Sequence, residues 1–177
     1  MSAVLAFIAV LVAIALVAIV VNRRRGVRAH YLDAWAPGPG EHTLIEDPLA
    51  DFYVIARMGQ AKVMSFARLR RTHAVLTNAR IVIATRALFS KRHMITHMVH
   101  LGGDEAPPPE LGQLSGGLYT AGYSLVSAHP SGMTVENDGG KPYVRIVPAS
   151  TASSATIDHC RLYSDDAAGF YAAARSI

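Results

Sequence analysis

The feature that most constrains this chain is an uncharged apolar run near its amino terminus. Residues 2–21, "SAVLAFIAVLVAIALVAIVV", contain no Asp, Glu, Lys or Arg. As a helix rising about 1.5 Å per residue, the run would reach roughly 30 Å, which is the thickness of the hydrocarbon core of a bilayer. A helix would also satisfy every backbone group inside lipid. The run therefore predicts a transmembrane helix over residues 1–22.

A cleaved signal peptide is the alternative interpretation of this run. A signal peptide needs positive charges before its apolar core and a small-residue cleavage site after it. Here no Lys or Arg precedes the run, and the run ends in "NRRRGVR" at residues 22–28. These features favour an uncleaved anchor.

Basic residues directly after the run predict its orientation. Positive flanks stay on the cytoplasmic side, so the amino terminus would face outward and residues 44–177 would form a cytoplasmic domain. The expected location is the inner (cytoplasmic or intracytoplasmic) membrane, crossed once. The basic flank consists of Arg23, Arg24, Arg25 and Arg28.

The net charge of +4 is unevenly distributed along the chain. Residues 23–92 carry 13 Lys or Arg against five Asp or Glu, whereas residues 93–177 carry four against eight. The basic half predicts contact with anionic lipid headgroups or with an acidic partner. A nucleic-acid partner is not expected, because few aromatic residues are interleaved with the cations. The candidate contact residues are Arg23, Arg24, Arg25, Arg28, Trp35, Arg68, Arg70 and Arg71.

The segment 23–43 is predicted to be a basic juxtamembrane stretch followed by a Pro/Gly linker or an extended crossing. The "PGPG" sequence at 37–40 prevents a continuing helix. Trp35 in this segment has two interpretations. Its indole would sit at the headgroup level of a membrane, or it would anchor a protein contact.

The remaining chain is predicted to be mainly β, in an α+β domain over 44–177. Alternating and β-branched residues indicate strands separated by turn-forming residues. A short carboxy-terminal helix over 164–177, capped by Ser164 or Asp165, would close the domain. The predicted strand regions are 48–69 (two strands turning near 58–60), 73–90 (a hairpin), 118–127, 132–137, 142–149 and 153–163, with "HPSG" and "NDGG" as turns.

Three histidines in "KRHMITHMVH", residues 91–100, raise the possibility of a metal site. On a helix, His93, His97 and His100 would share one face and could hold zinc. On a strand, His93 and His97 would share one face and His100 would lie on the other. The preceding hairpin favours a strand, so no metal and no cofactor is predicted, and the metal site remains the alternative that requires a helix.

Motifs for catalysis are missing from the sequence. There is no G-x-S-x-G elbow, no Walker A loop and no G-x-G-x-x-G sequence. The single cysteine, Cys160, excludes an internal disulfide and is typical of a chain in a reducing compartment. We therefore expect a protein that is not an enzyme.

The stretch "LTNARIVI", residues 76–83, resembles the L-T-x-x-R-apolar hairpin of GRAM and bacterial pleckstrin-homology-like domains. Arg80 matches the arginine of that hairpin, and Thr77 and Asn78 match its turn. The resemblance covers about eight residues together with the order of elements over 41–177, and the prolines at 107–109 depart from it. It implies an antiparallel barrel with a short closing helix, and a binding or scaffolding module without catalysis, often near membranes.

A second resemblance is one of architecture alone. A single amino-terminal span before a β-rich cytoplasmic domain is similar to the H subunit of bacterial photosynthetic reaction centres. It implies a non-catalytic, single-span accessory or scaffold subunit of a larger membrane complex of photosynthetic or respiratory type, with the bilayer and other membrane-protein subunits as partners. The alternatives are a stand-alone membrane-anchored module that binds anionic lipid or an acidic partner, and a histidine-dependent metal-binding protein.

Overall fold

In the computed structural model of this chain, the described residues from 43 onward form seven β-strands and a short carboxy-terminal helix. The structure describes residues 4–10, 12–13, 17, 31–57, 63–87, 90–102, 124–150 and 156–177. A 3₁₀ helix at Leu32–Ala34 precedes the strands. The elements are β1 Thr43–Arg57, β2 Val63–Thr77, β3 Arg80–Arg86, β4 His93–His100, β5 Ser124–Asp138, β6 Lys141–Ser150, β7 Thr156–Tyr163 and α1 Ala167–Arg175.

The strands form a closed barrel in the order of the chain, and β7 returns to pair with β1. Every strand pair is antiparallel except β4 and β5, which run parallel. The resemblance implied a wholly antiparallel barrel, and that prediction is wrong for the β4–β5 pair. A parallel pair needs a crossover connection instead of a tight turn, and the connection here, residues 101–123, is described only at residues 101 and 102.

The transmembrane helix predicted over residues 1–22 is contradicted by the structure. Within the described part of the chain, no helix is long and apolar enough to cross a membrane. The described helical residues near the amino terminus are 4–10, 12–13 and 17. The fold class with a membrane helix, the single-pass description and the inner-membrane location all depended on that span, and they are corrected with it.

Two of the predicted turns have different outcomes. The "NDGG" turn is confirmed: Asp138 pairs with Lys141, and Gly139 and Gly140 take φ angles of 57° and 87°. Such left-handed angles at both central positions are those of a type I′ hairpin, which glycine adopts without strain. The "HPSG" turn is wrong, because β5 runs without a break from Ser124 to Asp138 and passes this sequence with a shift in register.

The main core fills the barrel and is closed by α1. Phe52, Ile83 and Leu162 line the interior, and Phe170 and Ala174 of α1 pack against the same cluster. The carboxylate of Asp166 accepts a hydrogen bond of 2.9 Å from the backbone N–H of Gly169. The helix is thus capped by Asp166, not by the predicted Ser164 or Asp165.

Removal of this cap gives a first testable expectation. Asp166→Ala leaves one amide at the start of α1 without its acceptor and should lower the free energy of unfolding by about 1 kcal/mol. Urea denaturation followed by circular dichroism measures the change. Asp165→Ala is the matched control, because Asp165 is exposed and does not cap the helix. Equal losses in the two variants would contradict the assignment of Asp166 as the cap.

A second, smaller apolar cluster lies on the outer side of β2, β3 and β4. Strand alternation places Val82 and Ala84 there, because Ile81 and Ile83 point into the main core. The outer cluster is covered by residues 31–42, which we call the strap. Leu32 and Trp35 of the strap pack on it. The segment predicted to be a linker is therefore packed against the barrel.

Charged pairs fasten the strap at both ends. Near its start, Arg92 donates to both carboxylate oxygens of Asp33, at 2.9 and 3.0 Å, and lies 3.9 Å from the ring centroid of Tyr31. Near its end, Glu41 and Arg80 form a buried ion pair. The arginine of the "LTNARIVI" hairpin thus holds the strap to the sheet.

Candidate functional site

The contact residues predicted in the amino-terminal half fall into three groups. Arg23, Arg24, Arg25 and Arg28 lie outside the described residues. Trp35 is half-buried on the outer cluster, with the guanidinium carbon of Arg80 at 5.8 Å from its ring centroid. Its use by a membrane or a partner remains a prediction. The third group, Arg68, Arg70 and Arg71, is exposed on β2.

The three predicted metal-ligand candidates do not converge. The segment is a strand, as the hairpin indicated, but a shift in register near Thr96 places His93 and His97 on opposite sides of β4. The ring of His97 packs inside the barrel against Phe52, with centroids 5.4 Å apart, while His93 packs against His73 outside. Among the described residues, no group of three His, Cys, Asp or Glu side chains could hold a metal ion.

The third histidine, His100, lies over Gly102 at the end of β4. A Cβ at Gly102 would overlap the His100 ring, so a larger residue there would displace that ring. On strand alternation His100 shares the outer side of β4 with Met98, and His97 shares the inner side with Val99. The predicted sharing of one face by His93 and His97 is corrected, because the extra residue at the bulge reverses the alternation.

His97 and Cys160, which face the interior of the barrel, are chemically unreactive near neutral pH. Burial lowers the pKa of His97 to about 4, so its imidazole is neutral at neutral pH. Burial raises the pKa of the Cys160 thiol to about 12, which keeps it protonated and unreactive. Neither group is in a state suited to nucleophilic or acid–base work near neutral pH.

Arginines and tyrosines from four neighbouring strands share the outer side of the barrel. The register places Tyr53 of β1 between Arg68 of β2 and Arg161 of β7, and it places Arg161 opposite Arg145 of β6. This is a continuous row across β2, β1, β7 and β6. Tyr163 and Tyr143 are opposite each other in the next row. We call the surface formed by Tyr53, Tyr143, Tyr163, Arg68, Arg70, Arg71, Arg145 and Arg161 the arginine–tyrosine face.

The rings of this face contact one another. The centroid of Tyr163 lies 5.1 Å from that of Tyr53 and 4.9 Å from that of Tyr143. Guanidinium carbons lie 5.9 Å (Arg68) and 5.1 Å (Arg161) from the ring centroids of Tyr53 and Tyr143. At these distances, cation–π contacts hold the side chains of Arg68 and Arg161 along the sheet. The face is therefore preorganised.

Two carboxylates of β5 close one border of the face. Asp138 accepts hydrogen bonds from Arg161 at 3.2 Å and from the Tyr163 hydroxyl at 3.0 Å. Glu136 accepts from the Tyr143 hydroxyl and lies 3.9 Å from Arg145. The hydrogen bond from Tyr143 lowers the pKa of Glu136. Burial, and then the same hydrogen bond, raises the pKa of Tyr143 to about 12. At neutral pH the carboxylate is therefore charged and the phenol protonated.

A histidine holds Arg161 from the other side. The Nε2 atom of His159 accepts from the Nε of Arg161 at 2.9 Å. Its Nδ1 therefore carries the proton that it donates to Asp158 at 2.7 Å. The Nη1 atom of Arg161 also donates to Asp138. The guanidinium is therefore held at both Nε and Nη1, and these two neighbours fix its position on the sheet.

The opposite border, on β2, has a different charge balance. Arg70 and Arg71 are exposed, and within the described ranges their side chains form no ion pair. Arg71 takes a φ of 51°, which turns the strand sharply, and its backbone N–H donates to Asp51 at 2.8 Å. The β2 border thus presents two exposed arginines, Arg70 and Arg71, next to Arg68, with the carboxylate of Asp51 beside them.

Sequence reasoning found three of the eight residues of this face, and it did not find Tyr53 of β1. It named Arg68, Arg70 and Arg71 because they are consecutive in a basic run. It missed the members on β6 and β7, whose alternation with apolar residues was visible in "PYVRIV" and "HCRLY". No local signal shows that these strands lie beside β1 and β2, because the register between distant strands is a tertiary property.

Comparison with protein-family models, with curated proteins and with solved structures found no match to this chain. The resemblance of "LTNARIVI" to pleckstrin-homology-like and GRAM domains therefore remains a prediction from the sequence.

Proposed function

We propose that this chain is a non-catalytic accessory module that docks an acidic protein surface on its arginine–tyrosine face. One observation carries the proposal: Arg70 and Arg71 are exposed at the β2 border, next to Arg68 and its ring contact with Tyr53, and their side chains form no ion pair within the described ranges. Arginine and tyrosine are the residues enriched at protein–protein interfaces, where they bury large areas at low entropic cost. A segment rich in Asp or Glu is the complement of this border.

The contacts of the face support recognition instead of catalysis. Its polar groups satisfy one another: Tyr143 is bonded to Glu136, Tyr163 to Asp138, and Arg161 to His159. A general acid or base needs a free position within hydrogen-bond reach of a substrate. Side chains that are hydrogen-bonded to each other present a fixed pattern of charge, which a binding partner can recognise.

A protein surface fits this face better than an anionic bilayer does. Asp138 keeps 59% of its side chain exposed and Glu136 keeps 40%. A surface with uniform negative charge would approach these carboxylates with a repulsive contact. A protein can place its acidic residues against β2 and leave the β5 border free of them.

Charge reversal at the β2 border tests the proposal. Arg70→Glu/Arg71→Glu is expected to weaken binding of the full-length chain to poly-L-glutamate about tenfold at about 50 mM salt, because two attractions become repulsions and tenfold corresponds to about 1.4 kcal/mol. Fluorescence anisotropy of the labelled polymer measures the affinity. Vesicles of phosphatidylcholine with phosphatidylserine serve as the lipid probe.

The control is Arg86→Glu/Lys91→Glu, which changes the net charge by the same amount at exposed residues near the turn between β3 and β4. This variant should keep most of the affinity for poly-L-glutamate. Equal weakening in the two variants would show that only net charge matters and would refute a docking face. Stronger binding to the vesicles than to the polymer, lost in Arg70→Glu/Arg71→Glu, would replace the protein partner with a lipid surface.

A further inference from the structure

The two borders of the arginine–tyrosine face differ in charge. At the β2 border, Arg70 and Arg71 are exposed next to the carboxylate of Asp51, and within the described ranges their side chains form no ion pair. At the β5 border, Arg145, Arg161 and Lys141, the register partner of Asp138, stand beside two carboxylates, Glu136 and Asp138. The face therefore has two accessible carboxylates at the β5 border and exposed arginines without an ion pair at the β2 border of the described structure, with the stacked tyrosines between them.

The carboxylates at the β5 border occupy the positions that a ligand's anions would take. Asp138 lies within hydrogen-bond distance of Arg161, and the Tyr163 hydroxyl also donates to it. Glu136 accepts a hydrogen bond from the Tyr143 hydroxyl and lies near Arg145. Both remain partly open to solvent, so each has lone pairs that can accept further hydrogen bonds from a cationic group. An acidic ligand would have to compete with them, whereas a cation would add to them.

We infer that Glu136 and Asp138 determine the specificity of this face and select a protein segment with both signs of charge. The acidic part of that segment lies against Arg68, Arg70 and Arg71, and its Lys or Arg residues lie against Glu136 and Asp138. The two carboxylates also reject uniformly anionic ligands, which is a form of selection by repulsion. This inference rests on the proposed docking function, and it adds the charge pattern and the orientation of the partner.

Two synthetic peptides separate this pattern from simple attraction between net charges. The first carries six Glu, two Gly and four Lys; the second has four Gln in place of the Lys. The chain has a net charge of +4, so net charge alone favours the second, more acidic peptide. The proposed pattern favours the first. Isothermal titration calorimetry of the full-length chain at low salt should give about three- to tenfold tighter binding of the Lys peptide.

The variant Glu136→Gln/Asp138→Asn should lose this preference or reverse it. Both replacements keep side chains that can accept hydrogen bonds from Tyr143 and Tyr163, and a thermal melt verifies that the variant is folded. The control is Glu46→Gln/Asp165→Asn, which removes the same charge from exposed positions outside the face. This control should keep the preference of the unmodified chain.

The outcomes distinguish this inference from the function on which it rests. If the unmodified chain prefers the Gln peptide, or if the Glu136→Gln/Asp138→Asn variant keeps the preference for the Lys peptide, the specificity role is overturned. The docking function then still stands as long as Arg70→Glu/Arg71→Glu weakens binding of the Gln peptide. If the unmodified chain binds neither peptide, both the docking function and the specificity role fall.

Discussion

Glu41→Ala is expected to lower the free energy of unfolding by about 3–5 kcal/mol, because it leaves the guanidinium of Arg80 buried without its counterion. The Glu41 side chain is only 4% exposed and that of Arg80 10%. The carboxylate accepts from Arg80 Nε at 2.7 Å, from the Thr77 hydroxyl at 2.6 Å and from the Gly38 N–H at 2.8 Å. Burial works to raise the pKa of Glu41, but these hydrogen bonds outweigh it and lower the pKa.

Two probes measure this effect in urea. Trp35, the single tryptophan, lies in the strap beside Arg80, so its fluorescence reports release of the strap. Circular dichroism reports loss of the barrel. Coincident transitions would show that strap and barrel unfold together. An earlier transition of the fluorescence would show that the strap detaches first.

A matched control and a double variant identify the cause of the loss. Glu46→Ala removes a half-exposed glutamate that contacts His73, and it should cost less than about 1 kcal/mol. Glu41→Leu/Arg80→Met replaces the buried pair with apolar side chains and should recover most of the stability lost in Glu41→Ala. If Glu41→Ala costs no more than Glu46→Ala, the pair does not fasten the strap.

The second large effect is expected on acidification. The pKa of His97 is about 4 in the folded chain and 6.5 in the unfolded one. Between these values the unfolded chain binds a proton that the folded chain does not, so the free energy of unfolding falls as the pH falls. At about 1.4 kcal/mol per pKa unit, the loss from this residue approaches 3 kcal/mol near pH 4, and it is absent above about pH 7.

His97→Leu should remove this part of the pH dependence. Urea titrations at pH 7, 6, 5 and 4.5 give the slope, and comparison with the unmodified chain cancels the contribution of the carboxylates. His42→Gln is the control, because His42 is exposed in the folded chain and its replacement should preserve the slope. A His97→Leu variant as acid-sensitive as the unmodified chain would show that the buried ring is not the acid-labile group.

The sequence predicted correctly the features that depend on residues adjacent in the chain, and it failed where distant residues decide the structure. Local turn chemistry predicted the hairpin at Thr77–Arg80 and the "NDGG" turn, because the residues that make a turn are adjacent in the chain. Local chemistry misled at "HPSG", where β5 continues through residues that favour a turn, although residues 129–132 lie in a register shift between its pairs with β6. The predicted membrane helix was inferred from hydropathy alone, and the described part of the chain contains no helix long and apolar enough to cross a membrane.

The sequence by itself determined the strand-rich character of the described domain, the position of most strands and the character of β4 as a strand. These features depend on alternation and turn-forming residues, which are local in the chain. Only the tertiary structure decided the parallel pairing of β4 and β5, the Glu41–Arg80 fastening of the strap and the arginine–tyrosine face. Each of these joins residues far apart in sequence, such as Tyr53 and Arg161. Their contact depends on closure of the barrel and on the register between strands. The residues of a single segment do not determine either property.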